Sequence, residues 1–238
     1  MIRAIQFQNK RVGSTFLQKA LDSHPLISGI DEVFVNVARK QGIRKSGFIP
    51  YVRTTYNGYS QPQNYITQKV WARYPDKHVI FKLMYNQIHY HAGLFDFIKN
   101  NQIPMIHLMR KNLVKQVISG KNAATTKHEK LSIHADVLYQ LVQQADKLNK
   151  NWQQQITWKK LELFYEDIIG ETVDGFTFVS ESVKMSLCEF FEIEVPVLQR
   201  WFCAPTKKKN KNDIWVYLQN REAVEKRFKG TPYEWMLK

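Results

Sequence analysis

The sequence predicts an α/β fold, with a central, mostly parallel sheet of about five strands flanked by helices. Short apolar runs of strand character occur at Ala4–Gln8, Leu26–Ile30, Val79–Met84, Met105–Met109 and Leu161–Tyr165. Helix-periodic stretches fall between them, and strands alternating with helices give βαβ units and a parallel sheet. Neither an internal repeat nor a low-complexity linker divides the 238 residues, so residues 1–238 are read as a single domain.

The first strand leads through Asn9-Lys10-Arg11-Val12-Gly13-Ser14-Thr15 into a helix, because Phe16, Leu17, Ala20 and Leu21 recur at helical spacing until Ser23-His24-Pro25 stops the run. After the second strand, Val33 with Val37 and Phe34 with Ala38 repeat that spacing. Gly47–Tyr74 breaks the pattern: it is polar, carries Tyr51, Tyr56, Tyr59, Tyr65 and Tyr74, and has Trp71 near its end. It is read as an insertion, around residues 44–76, whose tyrosines either line a cleft beside Tyr85-Asn86-Gln87 or pack on the domain. The segment Thr125–His134 offers another rim. Behind the fourth strand Asn112 caps a helix over Leu113–Ala123. Leu187, Phe190 and Phe191 stand at core spacing, and the loop Thr206–Asn212, TKKKNKN, precedes a final helix near Trp215–Phe228.

Charge narrows the partners. Lysine and arginine number 35 against 21 acidic residues, a formal charge of +14, which favours anionic ligands without choosing among them. Lys207–Lys211 is the only dense basic run and no nucleic-acid module is recognisable, so a nucleic-acid partner is not expected. Cys188 and Cys203 fit neither a disulfide framework nor a zinc knuckle and read as reduced thiols. The start MIRAIQFQ reads as a strand and not as a signal peptide, and no apolar run approaches the roughly 20 residues of a membrane span, so a soluble, cytoplasmic protein is expected. The oligomeric state has no signature here.

In open α/β sheets, ligands gather beyond the carboxyl ends of the strands, which directs attention to the residues that follow each one. After the first strand, Gly13 permits a tight turn, Ser14 and Thr15 present hydroxyls and amides at a helix N-terminus, and Lys10 and Arg11 add charge: a cradle for a phosphate. The same residues also describe an ordinary helix cap with basic neighbours. The triphosphate-binding pattern GxxxxGK[ST] is absent, and the fourth strand ends in Arg110 where a magnesium-binding aspartate would suit an NTPase. Ser119 lies two helical turns beyond Asn112, so Arg110 and Ser119 are either a second grip on a phosphate or a surface cation and a solvated serine.

These clusters, in this order, resemble the PAPS-dependent sulfotransferase family. The run KRVGSTFLQKALDSHP is similar to its 5'-phosphosulfate loop and LMRKNLVKQVISGKNA to its 3'-phosphate segment. Leu163-Phe164-Tyr165-Glu166-Asp167 matches a following strand end, and the tail from Lys208-Lys209-Asn210 to Gly230-Thr231-Pro232-Tyr233-Glu234-Trp235 is similar to bacterial members acting on glycans or glycolipids. The resemblance implies a three-layer, P-loop-like fold, PAPS as donor with PAP as product, no metal, and a hydroxyl-bearing acceptor of glycan or glycolipid type. By position it implies that Lys10, Arg11, Gly13, Ser14, Thr15 and Phe16 belong to the 5'-phosphosulfate loop. Arg110 and Ser119 would hold the 3'-phosphate, Tyr165 would lie against the adenine, and Lys208 or its neighbours would close over the 3'-phosphate from the late loop. Lys82 matches a family lysine, but Met84 stands where the small-molecule branch has a histidine.

Methionine accepts no proton, so another base is needed, and Glu32 at the end of the second strand is the candidate; carbohydrate-type relatives often place a glutamate there. Arg11, Lys82 and the amides of Ser14 and Thr15 would stabilise charge on the departing oxygen. Plainer readings stand beside these: Asp31 and Glu32 suit a helix start, and Lys82 suits a snorkelling surface lysine. His89 and His91 are reserve bases, their HxH spacing lacking further ligands for zinc, and His24 reads as a packing residue. The rival activity is a P-loop nucleotide or small-molecule kinase using ATP.

Overall fold

The computed structural model describes residues 1–34, 61–122, 131, 133–195, 201–205 and 213–238. Five strands, β1 (Arg3–Gln8), β2 (Ile27–Ile30), β3 (His78–Met84), β4 (Met105–Met109) and β5 (Lys160–Phe164), form one sheet in the order β2-β3-β1-β4-β5. Every neighbouring pair is parallel, with Gln6 opposite Lys82, Gln8 opposite Met84 and Leu108 opposite Leu163. The predicted α/β class and strand positions are those observed.

Alternation along the strands sorts the side chains into two cores, as period-two geometry requires. Ile5, Phe7, Phe81, Leu83 and Met105 point to one face, where they meet Ile88, Leu94, Ile98 and Trp152. These belong to α3 (Tyr85–Tyr90), α4 (Leu94–Asn100) and α6 (Ala135–Gln155). Ala4, Ile80, Ile106, Leu108 and Leu163 point the other way and pack on Leu17, Ala20, Leu21, Leu187 and Phe191. Those residues come from α1 (Ser14–Asp22) and α8 (Glu181–Phe191). Helices thus cover both faces, which is why the strands read as continuous apolar runs.

Residues 61–71, within the stretch read as an insertion, pack on the first of these cores. Helix α2 (Pro62–Tyr65) runs into a π-helical segment, Ile66–Trp71, whose Ile66 and Val70 are buried, with Tyr65 and Trp71 packed against the same core. The helix read around Val37 and Ala38, and Tyr51, Tyr56 and Tyr59, lie outside the described residues. Helix α5 (Leu113–Asn122) follows β4, and Asn112 caps it as predicted, Lys115 N donating to Asn112 Oδ1 at 2.9 Å.

A second sheet was not read from the sequence. After the short α7 (Tyr165–Ile168), strands β6 (Ile169–Val173), β7 (Phe176–Val179) and β8 (Cys203–Ala204) pair antiparallel. Asp174 (φ 49°) and Gly175 (φ 80°) make the hairpin between β6 and β7, the pattern expected of an Asp-Gly type I′ turn. The chain ends in α9 (Arg221–Phe228) between two 3₁₀ turns, Ile214–Val216 and Glu234–Leu237. No helix among the described residues is long and apolar enough to cross a membrane.

Four histidines are built into this scaffold in neutral form. His24 Nδ1 accepts the amide of Leu26 and His78 Nδ1 that of Ile2, and burial lowers both pKa values from 6.5. Burial pushes His91 and His107 down to about 4. Because the folded values lie below the unfolded one, the unfolded chain binds more protons once pH falls below 6.5. Stability is therefore expected to be full above about pH 7 and to fall steadily towards pH 4.5, before most carboxylates titrate. Urea midpoints at about pH 7.5 and pH 5 check this; equal midpoints contradict it.

Candidate functional site

The turn after β1 is built from two left-handed residues, Arg11 (φ 64°) and Gly13 (φ 80°). Gly13 has a steric reason as well as a dihedral one: a Cβ there would overlap the Tyr165 ring. Helix α1 starts at once, with Phe16 N donating to Gly13 O at 3.0 Å and no side-chain cap. The amides of Ser14 and Thr15 precede the helical ladder at its positive end, and Thr15 is exposed. Phe16 puts its ring into the core, 4% exposed, so within this loop it supplies packing and not a ligand-facing side chain. Lys10 is exposed, and its carbonyl accepts Gln116 Nε2 at 3.0 Å.

The side chain of Arg11 turns away from its own loop and reaches α5, where Nε donates to Ser119 Oγ at 3.1 Å. Arg110, directly after β4, has Nη1 3.4 Å from the Arg11 carbonyl oxygen and its guanidinium 5.3 Å from the centre of the Tyr165 ring. Glu166 completes the cluster: its carboxylate accepts the amides of Lys111 (2.8 Å) and Asn112 (3.2 Å) and the Nε of Arg110 (3.4 Å). The two clusters read separately in the sequence, the turn and the Arg110–Ser119 segment, are therefore joined. Tyr165 is wedged between them, against Gly13 and beneath Arg110.

The floor beside the turn is polar and buried. Gln6 and Gln8, 1% and 0% exposed, stand on the α1 face of β1, opposite Lys82 and Met84 of β3. Gln6 Nε2 is shared between Gln8 Oε1 (2.8 Å) and the carbonyl of Ser14 (3.3 Å), and Gln8 Nε2 lies 3.5 Å from Met84 Sδ. Lys82 is no surface lysine: its side chain is 3% exposed and its Nζ pairs at 2.9 Å with Asp31 Oδ1 beyond the end of β2. Glu32 is half-buried beside it, and its amide donates to Asp31 Oδ1 at 2.9 Å. The carboxylate brought to Lys82 is thus that of Asp31, the neighbour of the glutamate singled out as base.

His89 is exposed, while His91 is 1% exposed with its ring 4.5 Å from that of Phe34. The described residues contain no group of three or more His, Cys, Asp or Glu placed to hold a metal ion. Lys208 lies outside the described residues. Sequence reading passed over Gln6, Gln8 and Gln116, and it named Asp31 only as a helix start and Glu166 only within a strand-end match. Gln6 and Gln8 carried a signal, being amides inside a strand otherwise buried as apolar residues, and the others required the tertiary fold.

No protein-family model matches this sequence, and no curated protein matches it. Solved structures do. The chain is similar to a sulfotransferase from Alicyclobacillus acidocaldarius, with TM-score 0.54 at 12% identity over 100% of this chain and 94% of that one. It is also similar to the sulfotransferase domain from the curacin biosynthetic pathway, with TM-score 0.50 at 13% identity over 94% of this chain and 89% of that one. At such identities the likeness establishes the shared fold.

Replacing Gly13 by alanine puts a methyl group into the Tyr165 ring at a left-handed φ, two faults of order 1–3 kcal/mol each. G13A is expected to lower the thermal midpoint by several degrees, and a midpoint unchanged from the parent contradicts the wedge.

Proposed function

We propose that this chain transfers a sulfuryl group from PAPS to a hydroxyl group of an acceptor. The observation that carries the reading is the junction of the Gly13 turn with the Arg110–Ser119 segment at the carboxyl ends of the strands. The amide-and-hydroxyl turn at Gly13-Ser14-Thr15 is tied to Arg110 and Ser119 through the carbonyl and guanidinium of Arg11. A ligand with anionic groups at separate points suits such a site, and a bisphosphorylated adenosine has them. The likeness in fold to solved sulfotransferases supports the same reading. A kinase reading gains nothing from these residues, since Arg110 directly follows β4 and the turn has no lysine directly after its glycine.

The donor's 5'-phosphosulfate belongs at the amides of Ser14 and Thr15, and its 3'-phosphate at Arg110, Ser119 and the guanidinium of Arg11. Tyr165 is then next to the adenine, and Lys208 closes from the late loop. The acceptor oxygen attacks sulfur in line with the departing 5'-phosphate oxygen: an oxygen–sulfur bond forms, the sulfur–oxygen bond to phosphate breaks, and PAP leaves with its electron pair. Positioning and charge stabilisation dominate displacements of this kind. Lys82, one strand from the turn and desolvated, faces the charge that grows on the bridging oxygen. Asp31 holds that lysine, and Glu32 takes the proton from the attacking hydroxyl.

The acceptor proposed is a carbohydrate or glycolipid, on the similarity of the tail from Lys208 to Trp235 to bacterial members acting on such substrates. No metal enters the scheme.

Transfer of labelled sulfate from PAPS to a panel of glycans, glycolipids and phenols tests the activity directly. Product on at least one hydroxyl acceptor is expected, and PAPS left intact by the whole panel, with ATP and magnesium stabilising the chain where PAP does not, overturns it. Within the active protein, E32Q should keep its affinity for PAP and lose turnover by about 100-fold or more, the scale of general-base catalysis. Turnover within about threefold of the parent moves the base elsewhere. R110A should weaken PAP at least tenfold, as loss of a charge-assisted anchor implies, and an unchanged affinity removes the 3'-phosphate assignment.

A further inference from the structure

We propose that Glu166 is the positioning residue of the second anion site, holding the Arg110 guanidinium so that its unused donors face the 3'-phosphate; this rests on the sulfuryl-transfer reading above. Arg110 is gripped from three sides: the Glu166 carboxylate at Nε, the Arg11 carbonyl at Nη1, and the Tyr165 ring under the guanidinium plane. A guanidinium has five N–H donors in a fixed plane, so engaging Nε and one proton of Nη1 leaves the far edge, Nη2 with the second Nη1 proton, for a bidentate anion. An arginine without such a clamp samples many rotamers and loses that freedom only when ligand binds.

Helix capping alone does not account for Glu166. Helix α5 has its own cap in Asn112, whose Oδ1 takes the Lys115 amide, and Asn112 Nδ2 is itself fixed on the carbonyl of Met236. Glu166 arrives from the end of β5, a different strand, and spends one oxygen on both the Asn112 amide and Arg110 Nε. Its carboxylate also takes the amides of Lys111 and Asn112, the two that lead into the helix. The anion is left to Arg110, with Arg11 and Ser119 beside it.

The test compares calorimetric affinities for PAP and for AMP, which lacks the 3'-phosphate, in the full chain and two variants. E166Q keeps the shape, removes the charge and sets an amide against the two backbone donors; E166D keeps the charge and shortens the reach. Both are expected to weaken PAP by about tenfold while leaving AMP within about twofold, because only PAP uses the clamped edge. Equal weakening of both nucleotides in both variants overturns the proposal in favour of a purely structural role, and unchanged PAP affinity in both overturns it outright. A parent chain that binds PAP no better than AMP overturns the sulfuryl-transfer reading itself, a result seen before any variant is made.

Discussion

The parallel run of all five strands of the main sheet is the constraint on which the site depends. Parallel pairing brings every carboxyl end to one edge, so residues distant in sequence meet without any loop crossing the sheet. The order β2-β3-β1-β4-β5 then decides who meets whom. With β1 central, its turn is flanked by the Lys82 strand on one side and the Arg110 strand on the other. The outer strands supply the second members of each pair, β2 giving Asp31 to Lys82 and β5 giving Glu166 to Arg110. Each side of the turn thus has a cation held by a carboxylate from the outer strand.

The turn itself is held under strain by its neighbours. A non-glycine residue such as Arg11 at φ 64° costs about 1–3 kcal/mol and persists only where contacts fix it. Here its carbonyl faces Arg110, its guanidinium bonds Ser119, and the preceding carbonyl is taken by Gln116. The conformation of the loop and the identity of the α5 residues facing it are therefore one problem, and Gly13 answers the remaining half by letting the Tyr165 ring lie against the backbone. Binding groups held in this way before a ligand arrives lose less freedom on binding.

The main sheet was legible because its inner strands β1, β3 and β4 are buried on both faces and stand out as apolar runs; each observed strand begins and ends within a residue or so of the run that announced it. The second sheet was not, since β6 is exposed along most of its length and β8 is two residues long, although Asp174-Gly175 between Val173 and Phe176 is a hairpin signal open to reading. Helix α6 was passed over because its buried residues, Ala135, Leu138, Val142, Asn149 and Trp152, are spread thinly among polar ones. At the site, the order of motifs located the right strand ends, but side-chain direction is a tertiary property. Nothing in the sequence says that Arg11 reaches Ser119 and not its own loop, or that Asp31 and not Glu32 meets Lys82.

Two anchoring points at one sheet edge, bridged by Arg11, form the core of the account. A crystal structure of the chain with PAP measures this most directly. The account predicts the 5'-phosphate on the amides of Ser14 and Thr15, the 3'-phosphate within hydrogen-bond reach of Arg110 and Ser119, and the adenine beside Tyr165. Nucleotide bound with its phosphates away from both the β1 turn and Arg110 would contradict it.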